Sequence, residues 1–362
     1  MVCLSGCCLF IQTQVQVKKL IYYMFVTDSA DGFQHLFVNT LRNMLSPDEA
    51  GAFILVLANS MQDDELRNGL QQELGANFKA VLSGIRRGVL DITPDDLAVI
   101  EAIEATGADS FSCWKRQNRA GWELVYNPMR ALRPVRVSNE IIDSIKQPFD
   151  ENRFNFNKPF LQPEILWQGG WHGAQLRVLY NKFPFAPYHL IIVPDPDSQM
   201  PQFLTAHHHS MMFSLVEQQQ SVLPGFGAGY NSLGACASVN QLHFQSFVRT
   251  ELLPIEQQQW KHNGGNDDYP MNCYVSGSVQ DSWALIEECH NNNQPYNLLY
   301  RPGRCYVIPR KMQGSESVAQ RVRGAGWIEE CGVFNVSDYA ELESVSADDI
   351  SDCLRSLSVP AT

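Results

Sequence analysis

Between Gly229 and Gln245 the chain reads Gly-Tyr-Asn-Ser-Leu-Gly-Ala-Cys-Ala-Ser-Val-Asn-Gln-Leu-His-Phe-Gln. The alternation of Gln241, His243 and Gln245 predicts a strand that carries three polar groups on one face. The middle group is an imidazole. It keeps a substantial neutral fraction near pH 7, and neutral imidazole is a competent nucleophile toward an activated phosphoanhydride. Upstream, a loop of small residues offers backbone N–H groups together with Asn231, Ser232, Gly234, Ser238 and Asn240, a set able to surround anionic oxygens. Attack of His243 on a phosphorus atom is the chemistry this pattern suits. Gln245 can donate a hydrogen bond to a phosphoryl oxygen but cannot shuttle a proton as histidine can.

Such a pair needs a scaffold, and the sequence has the means to build one. The chain has 362 residues, 44% of them hydrophobic, enough for one large domain or two smaller ones in a soluble globular protein. A net charge of −12 argues against nucleic-acid or anionic-membrane surfaces and requires positive charge to be concentrated locally. Ten cysteines are scattered without a Cys-x-x-Cys pair, so reduced thiols in a cytoplasmic protein are expected, with no structural zinc and no cofactor. No apolar stretch reaches membrane-spanning length. Met1 to Phe10 is apolar but lacks a basic leader and a cleavage site, which argues against a signal peptide; residues 1–45 are read as an N-terminal leader segment in which Met24 is an alternative start.

Residues 46–107 read as a helical module. Ser46-Pro47-Asp48-Glu49 gives a helix start, further helices fit Asp63 to Leu74 and Asn77 to Arg87, and a fourth begins at Thr93-Pro94 and ends near Gly107. The charges along these segments are expected to be solvated, and no chemistry is assigned to them. From Ser112 the texture changes to short β-branched and aromatic runs. Leu176–Asn181 and Leu190–Pro194 predict a hairpin, followed by a helix over Thr205–Val222 and then the strand of His243. Tyr180-Asn181 with Val193-Pro194 is echoed by Tyr296-Asn297 with Ile308-Pro309, which suggests a duplicated unit, first at about 165–255 and again at about 267–330. A helix or tail is expected over 346–362. His189 reads as a structural histidine of a strand turn, and His207-His208-His209 as a surface cluster, since neighbours on a helix point in different directions.

The Gln241–Gln245 run resembles the His-x-His-x-Gln signature of the nucleotidyl-transferase branch of the histidine-triad superfamily. Within that branch it is most similar to the GDP-L-galactose and GDP-D-glucose phosphorylase family. Supporting stretches occur in the family's order: Gln147–Asp150 with Arg153–Lys158, Asn181–Pro184 through Pro194, Asn291–Asn297, and Ala325-Gly326-Trp327-Ile328-Glu329. The similarity runs from about 118 to 345. It implies an α+β fold, a duplicated half-barrel of mostly antiparallel strands with flanking helices over 108–345, beside the helical module. It also implies a GDP-hexose phosphorylase or guanylyltransferase that passes a nucleotide from a nucleoside diphosphate sugar to phosphate through a guanylyl-histidine and releases sugar 1-phosphate. The partners would be a GDP-hexose and inorganic phosphate, and the resemblance is compatible with a homodimer.

The resemblance also suggests roles for three residues outside the motif. Asn181 lies where family members contact the ribose, Lys182 sits in an Asn-Lys-Phe run that faces phosphate in dinucleoside phosphorylases, and Arg130 matches the arginine of an Asn-x-x-Arg stretch. Asn181 has the alternative of bonding its own backbone, and Lys182 and Arg130 of being surface charges. This chain departs from the signature at Gln241, where the family has its first histidine, and in Gly332–Ser337, which is less basic. Two other functions stay open: a dinucleoside polyphosphate phosphorylase, favoured by Lys182, and a non-catalytic nucleotide-binding or regulatory protein, favoured by Gln241.

Overall fold

The computed structural model describes residues 25–107, 111–133, 142–315, 317–336 and 338–360. The leader reading of residues 1–24, Met24 included, lies outside them. Among the described residues four helices come first. Helix α1 (Ala30–Met44) starts where the Ser29 side chain accepts the Gly32 N–H, within the segment read as leader. In α2 (Ala50–Ser60) nearly every residue is buried. It begins later than expected, because the backbone N–H groups of Asp48 and Glu49 bond back to Ser46 and close a turn instead. The two helices expected over 63–87 are one, α3 (Asp64–Arg86), capped by the Asp63 carboxylate. Gly75 does not break it: the site of a Cβ there is open space, so the helix passes through with only the entropic penalty of glycine. Helix α4 (Pro94–Thr106) has the expected cap at Thr93 and a left-handed-region Gly107 at its end.

A three-stranded sheet follows in part, from β1 (Lys115–Arg119) and β2 (Trp122–Tyr126), with the short helix α5 (Pro128–Ala131) after it. The large sheet is built from β3 (Ile165–Trp171), β4 (Ala174–Tyr180), β5 (Leu190–Pro194), β6 (Phe226–Asn231) and β7 (Phe244–Val248), with helix α6 (Ala206–Gln219) between β5 and β6. It continues through β8 (Tyr274–Ser276), β9 (Tyr296–Arg301) and β10 (Arg304–Pro309), with helix α7 (Val279–Asn291) between β8 and β9. Helix α8 (Trp327–Glu330) leads into β11 (Val333–Val336), which pairs in parallel with β2, and α9 (Glu341–Ser344) and α10 (Ala347–Leu357) close the chain. The fold is α+β, as expected.

All pairings of the eight-stranded sheet are antiparallel, in the order β3-β4-β5-β7-β6-β9-β10-β8. Strand, helix, hairpin occurs twice, as β5-α6-β6-β7 and β8-α7-β9-β10, and the two copies meet where β6 lies against β9. The strand order is therefore repeated within the sheet, but the Tyr-Asn echo does not mark the repeat. Tyr180 pairs with Leu190 beside the hairpin turn, whereas Tyr296 pairs with Pro309 at the open end of its hairpin. The repeat that matters is one of topology, which short sequence echoes do not track.

The helical module grips the turn between β4 and β5. Asn59 of α2, fully buried, donates from Nδ2 to the Asn181 carbonyl at 2.9 Å, and Gln62 accepts the Tyr188 N–H at 2.6 Å. The Tyr180 hydroxyl donates to the Phe37 carbonyl at 2.6 Å, Phe33 and Phe37 pack edge-on against Tyr188, and Phe37 also packs on Tyr180 at a tilt. Its apolar faces share one core with the sheet. Of the three α6 histidines expected as a surface cluster, only His207 is exposed. His209 is fully buried, bonding the Tyr300 hydroxyl at 2.9 Å and the Ser282 hydroxyl at 2.8 Å, and His208 is buried beside it.

Candidate functional site

His243 sits one residue ahead of β7, at the end of the loop that leaves β6 after Asn231. There the two strands part, and Gln202 bridges them. From a fully buried position its Nε2 donates to the carbonyls of Asn231 (2.8 Å) and His243 (3.2 Å), while its Oε1 accepts the His243 N–H (2.8 Å). The Gln202 N–H in turn donates to Asn240 Oδ1 at 2.9 Å. A glutamine amide supplies one acceptor and two donors, the set that replaces the missing ladder bonds. Nothing in the sequence pattern pointed to Gln202, because its partners are far along the chain.

The His243 ring is buried, with Nδ1 2.7 Å from the Gln241 carbonyl oxygen. A carbonyl only accepts, so Nδ1 carries the proton and Nε2 keeps its lone pair. Burial pushes the imidazole pKa down to about 4, and the hydrogen bond to Gln241 offsets this only in part. The ring is therefore neutral near pH 7. Phe156 packs on it at 5.0 Å between centroids, and Phe154 and Phe160 continue this aromatic surface outward to solvent.

Gln245, two residues on, lies within β7 and is half-buried. Its Oε1 accepts the indole Nε1–H of Trp327 at 2.7 Å. Trp327 is fully buried, stacked on Phe247 at 5.2 Å, and its backbone N–H donates to Asn231 Oδ1 at 2.9 Å. Gln241 departs from the expected polar face. It lies outside β7, and its side chain accepts the Phe156 N–H at 2.7 Å and reaches the Pro196 carbonyl at 3.4 Å. This glutamine holds the Phe156 segment against the histidine.

The loop expected to cradle phosphate is instead stapled by its own side chains. Asn231 Oδ1 is taken by Trp327 and by the amide of Asn297. Ser232 accepts the Tyr296 N–H at 3.0 Å, and Asn240 donates to the Pro148 carbonyl at 2.7 Å. Gly234 has φ 75°, and a Cβ there would stand 2.3 Å from Met312 Sδ. The glycines at and just before this stretch make room for neighbours: a Cβ on Gly229 would lie 2.2 Å from the Trp327 ring, and one on Gly227 2.6 Å from Phe247. Ser238 alone of the expected group is exposed.

Asn181 and Lys182 are likewise engaged elsewhere. Asn181 Oδ1 accepts the Phe183 N–H at 3.0 Å, the local backbone bond that was its alternative, and Lys182 Nζ pairs with Asp96 of α4 at 2.6 Å. Arg130 does lie toward the site. It donates to the Phe183 carbonyl at 3.3 Å and stands 5.1 Å over the Phe185 ring, which packs on Trp327 at 5.9 Å. Burial, reinforced by Arg133, lowers its pKa to about 10, so it remains cationic. His189, fully buried in the same turn, is held well below the ordinary histidine range by burial and then by the charges of Arg130 and Arg133. The Glu329 carboxyl faces the same two guanidiniums, which partly offset the upward push of burial on it. Among the described residues no group of three or more His, Cys, Asp or Glu is arranged to hold a metal ion.

Residues 119–247, which contain Arg130, His243 and Gln245, match the family described as GDPGP1-like, N-terminal domain. Over 127 residues the chain is 35% identical to GDP-D-glucose phosphorylase 1 of Homo sapiens, covering 33% of this chain and 32% of that protein. Over 206 residues it is 27% identical to GDP-L-galactose phosphorylase 2 of Arabidopsis thaliana, covering 47% of each. The chain thus matches about a third to a half of the length of these relatives. A solved structure of yeast Ap4A phosphorylase Apa2 with AMP aligns over 74% of this chain and 97% of its own at 16% identity and a TM-score of 0.48. The resemblance to the GDP-hexose phosphorylases drawn from the motif is borne out by the family match and by both relatives.

Proposed function

We propose that this chain is a GDP-hexose phosphorylase that works through a guanylyl-histidine. His243 Nε2 attacks the α-phosphorus of the nucleotide sugar, a P–N bond forms, and the bond to the bridging oxygen breaks to release hexose 1-phosphate, already a good leaving group that needs no proton. The imidazolium so formed is stabilised by the Nδ1–H bond to the Gln241 carbonyl. Inorganic phosphate then attacks the same phosphorus, the P–N electron pair returns to Nε2, and GDP departs. Gln245 holds a non-bridging oxygen through its amide N–H, Arg130 and Arg133 offset the phosphate charge, and the Phe154–Phe156 surface offers the nucleobase a stacking partner. The partners are a GDP-hexose and phosphate, in a cytoplasmic setting and with a homodimer as the expected assembly.

The observation that carries this reading is the fixed tautomer of a buried, neutral His243, whose lone pair stands on Nε2. That support comes from the backbone carbonyl of residue 241, so the loss of a histidine side chain there does not remove it, and the non-catalytic alternative loses its motive. The dinucleoside alternative rested on Lys182, which Asp96 occupies. The test is incubation with GDP-glucose or GDP-L-galactose labelled in the α-phosphate, followed by detection of an acid-labile protein adduct. Wild-type protein should be labelled and release GDP on adding phosphate; His243→Ala, folded by circular dichroism, should do neither. Labelling by diadenosine tetraphosphate instead would establish the dinucleoside reading, and nucleotide binding with no adduct would overturn the catalytic one.

A further inference from the structure

The Ala325-Gly326-Trp327-Ile328-Glu329 stretch has no role in the reaction as written, yet its tryptophan touches the reacting face. Indole Nε1 is a donor only, so the 2.7 Å contact requires the oxygen of the Gln245 amide to face Trp327. The NH₂ group is thereby turned away from the indole. An isolated glutamine amide has two orientations of similar energy, and one of them would present a carbonyl oxygen to an anionic phosphoryl group and repel it.

The indole itself is tightly placed. Its backbone N–H is bonded to Asn231 at the end of β6, and its ring is stacked on Phe247. The ring also lies over Gly229, the residue paired with Gln245 in the β6–β7 ladder, where any side chain would collide with it. Asn297 of β9 bonds Asn231 from the other side, so both halves of the duplicated sheet fix the same ring. Burial is complete, and no solvent competes for the N–H.

We infer that Trp327 is a positioning residue that selects the orientation of Gln245, so that the transfer glutamine always presents a donor to the phosphoryl oxygen. This rests on the phosphorylase reading above. Trp327→Phe keeps an aromatic ring against Phe247 and removes the donor together with the five-membered part of the indole. It should lower the rate of guanylylation about tenfold, the effect of one lost neutral hydrogen bond, and leave the KM for GDP-hexose within about twofold. Gln245→Ala should lose more, about 10²–10³-fold, and the double variant should be no slower than Gln245→Ala alone, because without the amide there is nothing left to orient.

A Trp327→Phe variant with wild-type turnover, or one that loses the same factor in the Gln245→Ala background, overturns the inference while leaving the function intact. Absence of any adduct on wild-type protein refutes the function itself and the inference with it. Should Trp327→Phe fail to fold, the indole N–H resonance of Trp327 decides: it must shift in Gln245→Ala, and an unmoved resonance refutes the bond on which the inference depends.

Discussion

The sharpest consequence of the His243 environment is a displaced acid limb. At pH 5.5 an imidazole of ordinary pKa, about 6.5, is roughly nine-tenths protonated and useless as a nucleophile. One pushed down to about 4 by burial is only about 3% protonated at that pH. Single-turnover guanylylation by labelled GDP-hexose at subsaturating concentration reports the free enzyme's ionisations, and the diphosphate of the donor stays fully ionised over this range. Between pH 7.5 and 5.5 the rate should therefore fall by no more than about a tenth, where an ordinary histidine would lose about nine-tenths of it. Stability moves with the same groups. The folded pKa lies below the unfolded one, so the unfolded chain binds more protons between about pH 6.5 and 4, and stability, complete above that window, declines as pH falls through it. His243 alone costs about 2 kcal/mol by pH 5, and His189, His209 and His290, all shifted downward chiefly by burial, add to it. Enzyme held at pH 7.5 should thus be jumped to each test pH, with circular dichroism recorded in parallel. An acid limb centred near 6.5 in a folded protein would show that the ring is solvated or paired with an anion, and would refute the argument from burial.

Gly229→Ala should destabilise the fold by about 1–3 kcal/mol in chemical denaturation, since the added methyl meets the Trp327 ring at 2.2 Å. It should also slow transfer by displacing the indole from Gln245; unchanged stability would mean that the ring does not lie on the strand. Lys182→Met should leave the KM for GDP-hexose within about twofold, because its ammonium is committed to Asp96. A rise of tenfold or more would return Lys182 to the phosphate.

Much of the framework was legible because it is written locally. Thr93-Pro94 and Gly107 bound α4 as their backbone preferences dictate, and the apolar run Leu190–Pro194 is β5 to the residue. What failed locally failed for tertiary reasons. Gly75 looks like a break between two helices, but the buried residues Leu70, Leu74, Asn77 and Val81 keep one face of α3 continuous against the core, and packing overrides the propensity of one glycine. The His207–His209 run looked exposed because consecutive helix residues cannot share a face. Yet α6 packs on the sheet at β6 and β9 and also against α7, which lies beside it on β10, so His208 and His209 both meet protein, and each finds a hydroxyl partner: Thr205 for His208, and Tyr300 and Ser282 for His209.

At the candidate site, His243 was readable as a candidate nucleophile and the bonds around it were not. The types and period of His243 and Gln245 are a local signal, while the bonds that orient them come from Gln202, Asn297 and Trp327, whose sequence distance hides them. The glycines illustrate the ambiguity most directly. A small-residue stretch beside a candidate nucleophile has two physical meanings: an open cradle for an anion, or a surface flattened so that a large ring can lie on it. Sequence composition is the same in both cases, and only the partner decides. Here the partners are Trp327, Phe247 and Met312, each filling the space a Cβ would occupy at Gly229, Gly227 and Gly234. Under the function proposed above, the committed side chains of the loop leave the anion to other groups, and Arg130, tied to Gln245 through Phe185 and Trp327, is the cation we assign to that role, so that the short helix after β2 rather than the glycine-rich loop is proposed to bring the positive charge.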